Sequence, residues 1–137
     1  MAYDKQTLMT YRIQRARETA EEAKEAIERN HLQLAENRIY YGMFYMVQAL
    51  ALQQNFTTSR HTQLLGWFNK EFIHPGRIAP VLGKAFQAAF EKRQKGDYDD
   101  FVTFSQDEVE YDLEKMLRLL DIVEKIILEN CKEGKKP

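Results

Sequence analysis

The apolar residues of this chain recur every three or four positions, the spacing that brings side chains to one face of an α-helix. In the first thirty residues they form one narrow stripe among charged positions: Met9, Ile13, Ala16, Ala20, Ala23 and Ile27. The pattern predicts a first helix from about Asp4 to Arg29. Asn30 and His31 follow as a break, because asparagine tolerates the left-handed conformation that ends helices.

The second segment, from about Leu32 to Gln54, is apolar on almost every side. Its fourteen residues from Ile39 to Leu52 are interrupted only by Gly42 and Gln48. As a helix this run spans about 21 Å, which is shorter than a hydrocarbon layer of about 30 Å. We therefore expect a central helix surrounded by other helices, and no membrane span.

Two further helices are bounded by residues that start or stop helices. A third follows the capping residues Thr57 to Ser59 and ends at Pro75 and Gly76, with its apolar residues turned inward: Leu64, Leu65, Phe68 and Phe72. A fourth begins at Pro80, because the first turn of a helix does not use that amide hydrogen, and continues to about Lys95. Gly96 is expected to end it.

The last helix opens with a capping box. Ser105 to Glu108 reads Ser-Gln-Asp-Glu, in which the hydroxyl and the carboxylate each satisfy a free backbone amide. Before it lies a connector, Asp97 to Thr103, and after it helical spacing continues to Ile127, with a frayed tail from Lys132 to Pro137. The sequence predicts an all-α protein with one domain over residues 1–137, an antiparallel up-and-down bundle of four long helices plus a short one.

Composition narrows the class of protein. The chain of 137 residues is 44% hydrophobic and 30% charged, which is typical of a globular domain. Its one cysteine, Cys131, excludes an internal disulfide, and the N-terminus has no apolar signal core, so we expect a cytoplasmic protein. The 20 basic and 21 acidic residues give no general attraction for nucleic acid.

The charges are nevertheless unevenly spread. Residues 60–95 hold seven bases and two acids, whereas residues 97–124 hold ten acids and two bases. One interpretation is mutual compensation within the bundle or across a dimer. The other is an anion-binding face on the third and fourth helices.

Two motifs resemble catalytic or metal sites but lack their full pattern. Gly76 to Ala85 has six residues between its glycines and Ala85 after Lys84, unlike a phosphate-binding loop. Glu71 and His74 have the Glu-x-x-His spacing of di-iron bundles, which require a second such pair. We therefore predict no metal site and no cofactor.

Two other segments combine cations with aromatic residues in a way that core packing does not require. Residues 37–45 place Arg38 at the start of a helix that is otherwise buried, where its charge needs an anion or solvent. Residues 93–101 place Arg93 at a helix end beside carboxylates and the phenol of Tyr98.

In order and spacing these segments resemble the HEPN family, the helical higher eukaryotes and prokaryotes nucleotide-binding domain. The resemblance covers about Thr10 to Ile127 and is carried by three motifs: Arg38-x-Tyr40-Tyr41-x-x-Phe44, His61-x-x-Leu64-Leu65-x-x-Phe68 and Arg93-x-x-x-Asp97-Tyr98-x-x-Phe101.

The resemblance implies a helical bundle that pairs as a homodimer and acts with a minimal nucleotidyltransferase, often as a toxin–antitoxin pair. It also implies, for many members, a metal-independent ribonuclease in which an arginine is followed four to six residues later by a histidine. Arginine grips the scissile phosphate and histidine moves protons. Here Tyr98 stands where that histidine is expected, and a phenol of pKa about 10 is a poor proton shuttle at pH 7. The nuclease motif is therefore absent, which argues against an enzyme.

The preferred hypothesis is a dimeric nucleotide- or RNA-phosphate-binding partner of a nucleotidyltransferase. Its site residues are Arg38, Tyr41, His61, Arg93, Asp97 and Tyr98. The first alternative is a ribonuclease toxin that uses Arg93 with Tyr98, or with His61 brought close by folding. The second is a purely structural bundle without a binding site.

The structural alternative assigns each of these residues a simpler role. Arg38 would pair with Glu36 or with an acid of the fifth helix, and Arg93 with Asp97. The aromatic residues of the second helix would be core, and His61 would make a local hydrogen bond.

Overall fold

The computed structural model describes residues 4–98 and 101–134, and every regular element in these ranges is helical. The elements are α1 (Lys5–Glu28), α2 (Leu32–Gln53), α3 (His61–Phe68), α4 (Pro80–Tyr98) and α5 (Gln106–Gly134). A π-helical turn, Asn69–Ile73, continues α3 directly. The predicted all-α bundle of four long helices and a short one is confirmed.

The helix ends follow the local chemistry of the sequence. Asp4 caps α1, since its carboxylate accepts a hydrogen bond from the backbone N–H of Thr7 at 2.7 Å. Asn30 takes a left-handed φ of 61° at the predicted break after α1. Ser105 accepts from the N–H of Glu108 at 3.1 Å, which forms the Ser105 half of the capping box and starts α5.

Two predicted boundaries were wrong. Gly96 does not end α4: it is buried inside the last turn, and its carbonyl accepts a hydrogen bond from the Gln33 side chain of α2. A Cβ at this position would lie 3.2 Å from Cγ of Gln33, so the glycine permits a close approach between helices. Helix α5 likewise continues to Gly134 instead of fraying at Lys132.

The core is centred on α2, as predicted. This helix contacts α1, α3, α4 and α5, and five of its large side chains are fully buried: Ile39, Tyr40, Met43, Met46 and Leu50. Helix α1 approaches it closely through a stripe of alanines, because small side chains let two backbones come together: Ala16, Ala20, Ala23 and Ala26. Among the described residues, no helix is long and apolar enough to cross a membrane.

Glu36 places a carboxyl group in the interior of this bundle. It is fully buried, and neither of its oxygens accepts a hydrogen bond from a donor in the described part of the chain. The surrounding charges come from α4 and α5: Lys92 Nζ lies 2.6 Å from Asp112 Oδ2 and 2.8 Å from Glu108 Oε2. Burial, and then the neighbouring carboxylate of Asp112, raise the pKa of Glu36 to about 9. Glu36 is therefore a neutral acid at pH 7.

This protonation makes stability fall as pH rises. Between the ordinary pKa of 4.5 and about 9, the folded state binds a proton on Glu36 that the unfolded state has lost. The free energy of unfolding should therefore decrease by up to about 1.4 kcal/mol per pH unit over this window. Glu36→Gln, which keeps the size of the side chain but cannot ionise, should remove the decrease, as measured by urea denaturation at a series of pH values. The same slope in Glu36→Gln as in the parent protein would contradict this account.

Candidate functional site

An aromatic cluster joins three helices of the bundle. It consists of Tyr40, Tyr41 and Phe44 on α2, His61 at the start of α3, and Phe90 on α4. The imidazole of His61 stacks on Phe44, with ring centroids 4.3 Å apart and planes inclined by 12°. Tyr40 is fully buried beneath the cluster, whereas Tyr41 and His61 are half-buried.

The turn before α3 brings His61 to this position. Asn55 takes a left-handed φ of 64° and redirects the chain after α2. Thr58 Oγ1 then accepts from the N–H of Arg60 at 3.1 Å and donates to Gln63 at 2.6 Å, which fixes the first turn of α3. A helix start is thus held against the middle of α2.

A hydrogen bond to Tyr40 determines the state of the imidazole. The Tyr40 hydroxyl lies 2.5 Å from Nδ1 of His61. Burial raises the pKa of Tyr40, so the phenol keeps its proton and donates it to Nδ1. Burial, and then the charge of Arg93, lower the pKa of His61. His61 is therefore neutral near pH 7, with its own proton on Nε2.

Arg93 of α4 brings a positive charge against the same rings. Its guanidinium carbon lies 5.3 Å from the ring centroid of Tyr40, 5.5 Å from that of Tyr41 and 5.8 Å from that of Phe90. The side chain is only 13% exposed, and its ion pair with Asp97 is long at 3.3 Å. Its Nε is buried and has no hydrogen-bond acceptor among the described residues. The charge is largely desolvated, and within the part of the chain that the structure describes it is incompletely paired.

Arg38 of α2 contacts the aromatic cluster at Tyr41. Its guanidinium carbon lies 5.4 Å from the ring centroid of Tyr41. It also donates to the side chain of Asn37 at 2.7 Å and pairs with Glu22 of α1 at 3.3 Å. The predicted partners of Arg38, Glu36 or an acid of α5, were wrong because Glu36 is turned into the core.

Folding thus brings most of the predicted residues to one place. Around Tyr41 lie Arg38, His61 and Arg93, and Asp97 contacts Arg93. The predicted pair of Arg93 and Asp97 is present, and the side chain of Tyr98 lies outside the described residues. A cavity of about 350 Å³ opens beside Arg38 between α1 and α2, but neither His61 nor Arg93 lines it.

Two contributions were missed from the sequence. Tyr40 was predicted as a core residue, and its hydroxyl also orients His61. A tyrosine instead of a phenylalanine on a buried helix face could have indicated this second role. Tyr45 extends the rings along α2, with its centroid 5.9 Å from that of Tyr41, and Arg15 of α1 lies 5.6 Å from it. The spacing of four residues between Tyr41 and Tyr45 was the available signal.

Metal ligands are not part of this arrangement. Within residues 4–98 and 101–134, no three histidine, cysteine or acidic side chains come together in a way that could hold a metal ion.

Comparison with known proteins identifies the family of this chain. The family model described as HEPN domain matches residues 9–126. This chain belongs to the HEPN family. The resemblance found in its motifs is thereby confirmed for the HEPN fold over most of the chain.

Individual HEPN relatives cover the chain almost end to end. A UPF0332 protein of Thermotoga maritima is 38% identical over 124 residues, which are 90% of this chain and 94% of the relative. A protein of Methanocaldococcus jannaschii named "Putative toxin MJ0142" is 32% identical over 123 residues, 89% of this chain and 84% of the relative. A second from that organism, "Putative toxin MJ0605", is 29% identical over 86 residues, 63% of this chain and 64% of the relative.

The proximity of Arg93 should be measurable in the titration of His61. We expect the imidazole to titrate below the ordinary pKa of 6.5 in a ¹⁵N NMR titration, its signal being assigned by its loss in His61→Gln. Arg93→Gln should raise the pKa of His61 by removing a nearby positive charge. Arg29→Gln, which removes a charge from the exposed end of α1, is the matched control and should change nothing. An unchanged pKa of His61 in Arg93→Gln would show that the charge of Arg93 does not act on the imidazole.

Proposed function

We propose that this HEPN protein binds a phosphate group of a nucleotide or of RNA at Arg38, Tyr41, His61 and Arg93. The observation that carries the proposal is the placement of two guanidinium groups, from α2 and α4, at 5.4 and 5.5 Å from one half-buried tyrosine ring. The site residues Asp97 and Tyr98 complete the proposed set on α4.

The chemistry of Arg93 favours a phosphate. A guanidinium presents five N–H donors in a planar fork that matches phosphate oxygens, and Asp97 engages it through a long contact of 3.3 Å. A bound phosphate would supply an acceptor for Nε of Arg93, which has none among the residues that the structure describes. His61 adds an N–H donor at Nε2, and the face of Tyr41 is suited to stacking on a base.

The proposed partners follow from the family and from the names of its relatives. Two relatives are named as toxins, which supports a toxin–antitoxin role for this chain. We place it in the cytoplasm, as a homodimer that acts with a minimal nucleotidyltransferase. Light scattering should give twice the chain mass of 16.2 kDa, and a monomer at all concentrations would contradict the dimer. A nucleotidyltransferase encoded beside it should copurify with it.

A second candidate function is RNA cleavage without a metal. The specific observation in its favour is that His61, supplied by α3, lies on the same rings as Arg93 although the expected histidine after Arg93 is replaced by Tyr98. Arg93 would hold the scissile phosphate and His61 would transfer a proton.

Binding is tested by fluorescence anisotropy with a labelled ten-nucleotide single-stranded RNA and by calorimetry with ATP and GTP. Arg93→Gln should weaken binding at least about tenfold, because it removes a desolvated charge that contacts the phosphate. Arg118→Gln, at an exposed position of α5, removes the same charge and should leave affinity unchanged. Equal affinity of Arg93→Gln and the parent protein would overturn the proposed site.

The same samples distinguish binding from cleavage. Incubation of RNA with the folded protein in chelator should yield cut products only if the second candidate is correct. In that case both Arg93→Gln and His61→Gln should abolish cutting while circular dichroism shows an intact fold. Intact RNA in all samples would exclude cleavage of the RNAs tested and leave phosphate binding to stand on its affinity data.

A further inference from the structure

Arg38 of the proposed site also forms a pair with Arg15, and the carboxylate of Glu22 lies between the two arginines. Oε1 of Glu22 lies 3.6 Å from Nη1 of Arg15 and 3.3 Å from Nη1 of Arg38. The three side chains are partly open to solvent, at 27% exposed for Arg15, 23% for Arg38 and 46% for Glu22. One anionic oxygen thus sits between two cations on the surface of α1 and α2.

These contacts are weaker than the ion pairs that hold the bundle together. Arg17, also on α1, reaches Glu124 at 2.7 Å and Asp121 at 2.9 Å across to α5. Charge-assisted hydrogen bonds in proteins are typically of that shorter length. At 3.3 and 3.6 Å in an exposed position, the contacts of Glu22 contribute little free energy and can be displaced at small cost.

The cations follow a line of rings. Arg93 and Arg38 flank Tyr41, the ring of Tyr45 is 5.9 Å from Tyr41, and Arg15 is 5.6 Å from Tyr45. Positive groups beside successive aromatic rings are the arrangement that binds a nucleic acid strand, because phosphates follow the cations while bases stack on the rings. A single phosphate bound at Arg93 would occupy only one end of this row of cations and aromatic rings.

We propose that Glu22 occupies a second phosphate position, formed by Arg15 and Arg38, and that a ligand with more than one phosphate displaces it. The proposal rests on the function proposed above and extends it: the ligand is a nucleic acid strand rather than a mononucleotide. Glu22 then acts as an internal competitor for Arg15 and Arg38 that weakens binding of the strand.

The test uses the full chain and three probes: the labelled ten-nucleotide RNA, AMP and ATP. Glu22→Gln should increase RNA affinity about threefold, as expected for loss of an exposed ion pair that competes with the ligand. Arg15→Gln should decrease it about fivefold and lower the slope of log K against log salt by about 1. Arg15→Gln should leave AMP affinity unchanged, because Arg15 lies outside the set that binds the first phosphate. Glu21→Gln, the neighbouring exposed carboxylate of α1, is the matched control and should behave as the parent protein.

The outcomes separate this proposal from the one on which it rests. Binding that depends on Arg93 but is unchanged in Arg15→Gln and Glu22→Gln overturns the second position and leaves the first site in place. If these variants change ATP affinity as much as RNA affinity, the second phosphate position is retained. The assignment of a nucleic acid strand is then overturned, since a nucleotide polyphosphate would fill that position. Absence of binding to all three probes overturns both proposals.

Discussion

The burial of α2 against four other helices is the constraint on which this structure depends. Because most of its side chains are buried, the polar groups that it carries into the interior need partners from other elements or a change of protonation. Glu36 keeps a proton beside Asp112, and the hydroxyl of Tyr40 bonds to His61. Arg38 reaches the surface and pairs with Glu22 of α1. The same helix therefore organises the core and supplies the residues around which the candidate site is built.

Two sets of ion pairs differ in length. Lys92 and Arg17 each hold two carboxylates of α5 at 2.6 to 2.9 Å, which compensates part of the basic surface with the acidic helix. The arginines around Tyr41 and Tyr45 have carboxylate partners at 3.3 to 3.6 Å. Of the two interpretations of the uneven charge, compensation within the bundle is therefore present in part, and an anion-binding face on the third and fourth helices stays a prediction.

The position of His61 bears on what a HEPN chain can do without the histidine expected after Arg93. The imidazole comes from a different helix and is held by stacking on Phe44 and by the phenol of Tyr40. Its lowered pKa keeps it neutral beside Arg93. A neutral donor next to a desolvated guanidinium is suited to binding a phosphate, and the same pair contains the groups that proton transfer at phosphorus requires.

The sequence by itself determined the helices, their caps at Asp4 and Ser105, the burial of α2 and the family, because these properties depend on residue spacing and on chemistry within one turn. It named Arg38, His61 and Arg93 but could not show that they meet at Tyr41. That convergence depends on which turn of α2 faces α3 and α4, and interhelical register is set by packing between segments distant in the chain. The same reason explains why Gly96 lies inside a helix, why Arg38 pairs with α1 and why Glu36 keeps a proton: each depends on a neighbour that only the tertiary structure supplies.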